Sequence, residues 1–146
     1  MVCFQQLSDS KQIETVLTLC SPFFHNQSKN NSKFVTAQAE KFAKNAVFTV
    51  AVEDDSVIGF CAYYANDYKT CRAYLSMVVV SSYARGRGIG SALLKHMIQD
   101  CKSKGMRLIQ LEVANNNTVA IRFYQKHKFK LSGGLSETSS MYELNI

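Results

Sequence analysis

Leu75-Ser76-Met77-Val78-Val79-Val80-Ser81-Ser82-Tyr83-Ala84-Arg85-Gly86-Arg87-Gly88-Ile89-Gly90 joins a hydrophobic run to a glycine-rich turn. The residues beyond it keep helical spacing, with Ile89, Leu93, Leu94, Met97, Ile98 and Cys101 apolar and Gly105 near the end. The segment therefore reads as strand, tight loop and helix. A helix N-terminus leaves backbone N–H groups unpaired and carries partial positive charge, so a glycine-rich entry lets phosphate approach the main chain. Arg85 and Arg87 add guanidinium donors suited to phosphate oxygens. Glycines at alternate positions also serve turns and helix packing. Neither the G-x-G-x-x-G fingerprint nor G-x-x-x-x-G-K-[ST] is present, so neither a nicotinamide dinucleotide nor a nucleoside triphosphate is favoured.

Downstream, Arg107 to Val113 alternates Ile109, Leu111 and Val113 with Leu108, Gln110 and Glu112, a strand with one polar side reached by a βαβ crossover. A short helix at about Asn117 to Lys126, Phe129-Lys130-Leu131 and a closing strand from Ser140 to Ile146 come next. Upstream, Val2 to Leu7 reads as a strand, and Ser8-Asp9 as the cap of a helix bearing Ile13, Val16, Leu17 and Cys20 that Pro22 ends. Asn26 to Asn31 is polar and loop-like, and Phe34, Ala37, Ala39, Phe42 and Ala43 mark a second helix. Val47 to Val52 and Val57 to Tyr64 are strands joined by a turn at Glu53-Asp54-Asp55-Ser56, and Arg72 to Val80 extends an antiparallel meander. With no linker, repeat or low-complexity tract, the order predicts one α/β domain over residues 1–146.

At 146 residues the chain is long enough for one core, and its 47% hydrophobic and 19% charged residues are ordinary for a globular protein. No run approaches the length that spans a bilayer, and the first residues lack a secretory signal, so the expectation is a cytoplasmic domain without membrane partners. The five cysteines form no C-x-x-C pair or zinc spacing, which predicts reduced thiols and no metal. The net charge of +6 comes from scattered basic residues. A nucleic-acid module has that charge as its only support, whereas a polyanionic small ligand and simple solubility account for it equally.

Arg85-Gly86-Arg87-Gly88-Ile89-Gly90 resembles the Arg/Gln-x-x-Gly-x-Gly/Ala signature of the GNAT N-acetyltransferase superfamily, and Val78-Val79-Val80 resembles its Leu-x-Val strand end. Leu111 to Tyr124 resembles the Leu-x-Val...Asn-x-x-Ala-x-x-x-Tyr pattern, so the matched region runs from about Leu75 to Phe129. Ser82 stands where many members have proline, and Lys128 where they often have glycine before phenylalanine, which implies an altered left-handed helix ending. The resemblance implies a mixed, mostly antiparallel sheet flanked by helices. It also implies acetyl-CoA as co-substrate and a small-molecule or peptide amine as acceptor. Family members are often dimers, so a homodimer is compatible with it.

Residue by residue, the resemblance gives cofactor contacts to Val78 and Val80 on the strand, to Arg85, Gly86, Arg87, Gly88, Ile89, Gly90 and Ser91 at the loop and first turn, and to Asn117. The Val78 backbone N–H is the implied oxyanion donor. Tyr124 is the implied acid for the departing thiolate, its alternative being a packed core aromatic. Glu112 resembles the glutamate of ribosomal-protein N-terminal acetyltransferases that is linked to deprotonating the amine; otherwise it is a solvated strand carboxylate. Asn117 contacts the cofactor, caps a helix, or does both. Tyr63, Tyr74, Ser76 and His25 stay outside the site, because the sequence does not fix their direction. The specificity loop is expected at Gly133 to Ser139. The non-catalytic reading is an acyl-CoA-binding or sensing domain without turnover.

Overall fold

The apolar spacing produces helices and strands close to where it predicts them. In a computed structural model, which describes residues 1–27 and 31–146, the order is β1 (Val2–Leu7), α1 (Ser10–Cys20), α2 (Ser32–Asn45), β2 (Val47–Glu53), β3 (Ser56–Asp67), β4 (Arg72–Val80), α3 (Ile89–Ser103), β5 (Leu108–Ala114), α4 (Thr118–Lys126), β6 (Lys130–Gly134) and β7 (Ser139–Asn145). Positions 28–30 of the expected polar loop lie outside the described residues. Asp9 caps α1 by accepting from the Gln12 N–H at 3.0 Å, and Asn31 caps α2 by accepting from the Phe34 N–H at 2.8 Å. Pro22 lies in a 3₁₀ turn, Ser21–Phe23, directly after α1. The β2–β3 turn holds Asp54 and Asp55 at φ 50° and 63°, the pair of left-handed residues that a tight hairpin needs.

The seven strands form one sheet in the order β1-β2-β3-β4-β5-β7-β6, antiparallel everywhere except between β4 and β5. On one face α1 and α2 pack Ile13, Leu17 and Phe42 against Phe48, Phe60 and Val79. The other face buries Leu93, Leu94 and Met97 of α3 and Phe129 against Tyr63, Leu75, Ile109 and Leu111. Removing each such side chain from water stabilises the fold by about 1.5–3 kcal/mol before entropy is counted.

Two irregularities of β4 set the directions of its side chains and the reach of its ladder. Ala62 pairs with Met77 and Tyr63 with Leu75, so Ser76 is an extra residue that shifts the alternation. Unshifted, the face of Ala73 and Leu75 would continue through Met77 and Val79; with the bulge, Val78 and Val80 join the α3 side and Val79 the α1–α2 side. The parallel β4–β5 ladder also covers only Arg72–Tyr74 against Leu108–Gln110, although both strands run on. Beyond it β4 and β5 part, leaving neighbouring backbone edges without each other as partners.

Two expectations need correction. Gly133 and Gly134 belong to β6, pairing with Met141 and Ser140, so the β6–β7 loop is only 135–138. At Lys128 the left-handed ending forms without glycine, at φ 74°, with Phe129 N–H donating to the Tyr124 carbonyl and Lys128 N–H to the Gln125 carbonyl. The burial of Phe129 in the core holds that turn in place. Among the described residues no helix is long and apolar enough to cross a membrane.

Candidate active site

The loop between β4 and α3 turns through Gly86 and Gly88, at φ 77° and 79°, a region costly for any residue with a Cβ. Gly88 is the N-cap of α3 and its carbonyl accepts the first helical bond, from the Ala92 N–H at 3.0 Å. The N–H groups of Ile89, Gly90 and Ser91 have no helical acceptor, and no side chain caps them. A Cβ at Gly86 or Gly88 would meet nothing within 4 Å, so their demand is conformational. Gly90 differs: a Cβ there would make ordinary contact with the Phe123 ring at 3.5 Å, so α4 lies against the loop at this point.

The arginines are disposed otherwise than expected. Arg87 grips Glu53 with both ends of its guanidinium, Nη1 to Oε1 at 2.9 Å and Nη2 to Oε2, and this hydrogen bonding holds the Glu53 carboxyl below its ordinary range. Arg85 Nε donates to the Val80 carbonyl at 3.2 Å, and its guanidinium lies 6.0 Å over the Phe23 ring. Both side chains brace the loop against β2, β4 and the turn after α1. The first amides of α3 are left without a side-chain cap.

Where β4 and β5 part, the fold gathers phenols and a carboxylate. Asn117 caps α4, its Oδ1 accepting from the Ala120 N–H at 3.2 Å, and further along the helix Tyr124 packs edge-on against Phe129 at 5.6 Å. The Tyr124 hydroxyl has no hydrogen-bond partner among the described residues, and burial pushes its phenol well above the ordinary tyrosine range, with Cys61 and Tyr74 adding to the shift. Glu112 accepts a hydrogen bond from Ser139 Oγ at 2.6 Å. Tyr74 is the last β4 residue paired with β5. Burial raises its phenol, the Glu112 charge raises it further, and the Glu112 backbone N–H opposes.

Tyr74 was not assigned from the sequence. Its signal was positional, because it sits at the fork of the two strands, and only the register reveals the fork. Tyr64, opposite it on β3, has a buried hydroxyl without a partner among the described residues. His25 Nε2 lies 3.2 Å from Asn116 Oδ1, joining the segment after α1 to the β5–α4 loop. Tyr63 lies in the α3-side core and donates to Asp100 Oδ2 at 2.5 Å. Among the described residues no three His, Cys, Asp or Glu side chains converge to hold a metal ion.

Comparison with known proteins adds a family to this geometry. A spermine/spermidine N(1)-acetyltransferase of Bacillus subtilis is 31% identical over 88 residues, 56% of this chain and 58% of that protein, so the match spans little more than half of the relative. Among solved structures, the PaiA N-acetyltransferase of Thermoplasma acidophilum in complex with coenzyme A superposes with a TM-score of 0.79 at 19% identity, covering 100% of this chain and 99% of that one. The ribosomal-protein-S18-alanine N-acetyltransferase of Escherichia coli gives a TM-score of 0.79 at 17% identity, over 100% and 94% of the two chains. These two share the fold: the mixed sheet and its flanking helices. The acetyltransferase (GNAT) family model matches residues 11–129. With that match running from α1 through the loop to Phe129, the chain belongs to the GNAT family of acetyltransferases.

Proposed function

We propose that the protein transfers the acetyl group of acetyl-CoA to a primary amine by direct attack, with both substrates bound together. The observation that carries this reading is the uncapped start of α3 beside the parted edges of β4 and β5. Open amides suit a pyrophosphate, and an unpaired strand edge suits an amide-bearing arm, so the residues present fit the coenzyme.

Acetyl-CoA supplies an activated thioester. Arg85, Gly86, Arg87 and Gly88 shape the loop, and the amides of Ile89, Gly90 and Ser91 hold the pyrophosphate. The β4 backbone at Val78 and Val80 lines the arm, with Asn117 at the mouth and the Val78 N–H as donor to the carbonyl oxygen. Glu112, steadied by Ser139, takes the proton of the attacking amine directly or through water. As the N–C bond forms and the C–S bond breaks, Tyr124 gives its proton to the sulfur. A phenol whose pKa is raised stays protonated at neutral pH, as a donor must. The single sheet supports residues 1–146 acting as one catalytic unit. Relatives named for spermine and for a ribosomal-protein alanine bracket the acceptor as a small-molecule or peptide amine.

The test is calorimetric titration with acetyl-CoA, followed by thiol release with spermine and with an alanine-starting peptide. Saturable one-site binding and amine-dependent release support the assignment. Binding without release on any amine would leave an acyl-CoA-binding domain, and no binding would overturn the reading.

A further inference from the structure

The two faces of the sheet are covered unequally. Among the described residues the core under α1 and α2 takes strand residues from β1 to β4 and none from β5, β6 or β7. Ile109, Leu111, Tyr142 and Leu144 belong to the opposite, α3-side core, so alternation turns Gln110, Glu112, Met141 and Glu143 onto the α1–α2 side, outside its core. Glu112 is exposed there and the other three are half-buried. The register sets Tyr64, Tyr74, Gln110, Glu143 and Lys130 in one row across β3, β4, β5, β7 and β6. Glu112 pairs with Met141, so Glu112 and Glu143 are diagonal neighbours on this face, roughly 7–8 Å apart at the backbone. Gln110 Nε2 donates to Glu143 Oε2 at 2.7 Å and holds the carboxylate by one oxygen. Its charge has no ion-pair partner, not even Lys130 opposite it on β6, since the ion pairs among the described residues are Arg87–Glu53 and Lys104–Asp100. At the β3 end of the row Lys41 lies 5.7 Å over the Tyr64 ring.

With Glu112 taking the proton of the attacking amine, the rest of the acceptor lies along this face. We propose that Glu143, held by Gln110, receives a second, cationic group of the acceptor, which makes the preferred acceptor a short aliphatic diamine. The assignment rests on the acetyl-CoA reading above and on Glu112 as its base. The reacting amine is neutral when it attacks, whereas the second keeps its charge at neutral pH, because an aliphatic ammonium has a pKa of about 10.4. Glu143 meets that ammonium with a charge-assisted hydrogen bond through its remaining oxygen. Lys41 repels a cation at the β3 end, so the acceptor runs from Glu112 toward β7 and not back across β4. An amine of the same length ending in a carboxylate would meet Glu143 as a like charge.

The experiment titrates putrescine, butylamine and γ-aminobutyrate into the intact protein by calorimetry, with and without saturating CoA, and measures thiol release from acetyl-CoA with each. Putrescine should exceed butylamine about tenfold or more in affinity and in kcat/KM at low salt, with γ-aminobutyrate weakest. Glu143→Gln keeps an amide that can hydrogen-bond Gln110 and should bring the three acceptors level through KM. Glu143→Lys should favour γ-aminobutyrate. Thermal unfolding verifies that both variants fold, and the glutamine variant decides the question by itself if the lysine variant does not. No binding of putrescine, equal binding of the three acceptors by the intact protein, or the intact order persisting in Glu143→Gln would overturn the Glu143 assignment, while CoA binding and thiol release would keep acetyl transfer standing. A preference for putrescine in a protein that binds no CoA would overturn the acetyl-CoA reading and leave the Glu143 contact standing.

Discussion

Replacing Gly88 with alanine separates the conformational demand of the cofactor loop from its packing. A Cβ at this position meets nothing within 4 Å, so no steric collision contributes. What remains is the φ of 79°, where an L-residue costs roughly 1–2 kcal/mol. The unliganded loop can hold its shape and lose that energy from folding, or relax and lose it from coenzyme binding. Both routes end at the same bound conformation, so the coenzyme-saturated Gly88→Ala protein must be less stable than saturated native protein by about 1–2 kcal/mol. For a chain near this length that lowers the saturated melting temperature by roughly 2–8 °C. Calorimetric unfolding with and without CoA, combined with titration, measures both parts. Gly88→Asn is the control, because asparagine enters the left-handed region more readily and should lose less. Unchanged melting and affinity in the alanine variant would refute the argument, as would an asparagine variant impaired equally.

Lys128→Gly should stabilise the protein by about 0.5–1 kcal/mol, since relief of the left-handed strain exceeds the added freedom of the unfolded chain; denaturant unfolding that shows a loss would contradict this. Gly59→Ala should destabilise by about 1–3 kcal/mol, because the new Cβ would sit in the β3–β4 ladder against a backbone oxygen that cannot swing away. That Cβ would lie 2.7 Å from the Val79 carbonyl oxygen, and a melting point equal to native would show that the strands can separate to admit it. Tyr124→Phe should leave CoA affinity unchanged and lower turnover about a hundredfold, and equal turnover would remove the acid role. Glu53→Gln should loosen the hold on Arg87 and weaken CoA binding without a clear change in melting, whereas unchanged or tighter binding would mean that the Arg87–Glu53 pair does not shape the loop.

The features legible in the sequence are those set within a few neighbouring residues. Asp9 capping α1, Asn117 capping α4, the hairpin turn at Asp54 and Asp55 and the glycine loop at the start of α3 all arise from local backbone preference and short-range hydrogen bonds. Helical and alternating periodicities likewise fixed which residues reach the core, because burial rewards a face that recurs every turn or every second residue. The tertiary structure decided the rest. The Ser76 bulge exists because β3 offers one residue fewer than β4, and it alone aims Val78 and Val80. The early end of the β4–β5 ladder leaves Tyr74 as the last paired residue of β4, where the Glu112 charge reaches its phenol. Arg87 is held by a carboxylate on another hairpin, and Lys128 keeps a strained turn because Phe129 is buried. Each depends on what a distant strand or side chain presents, and the local sequence carries periodicity and propensity but not the identity of the partner across the sheet.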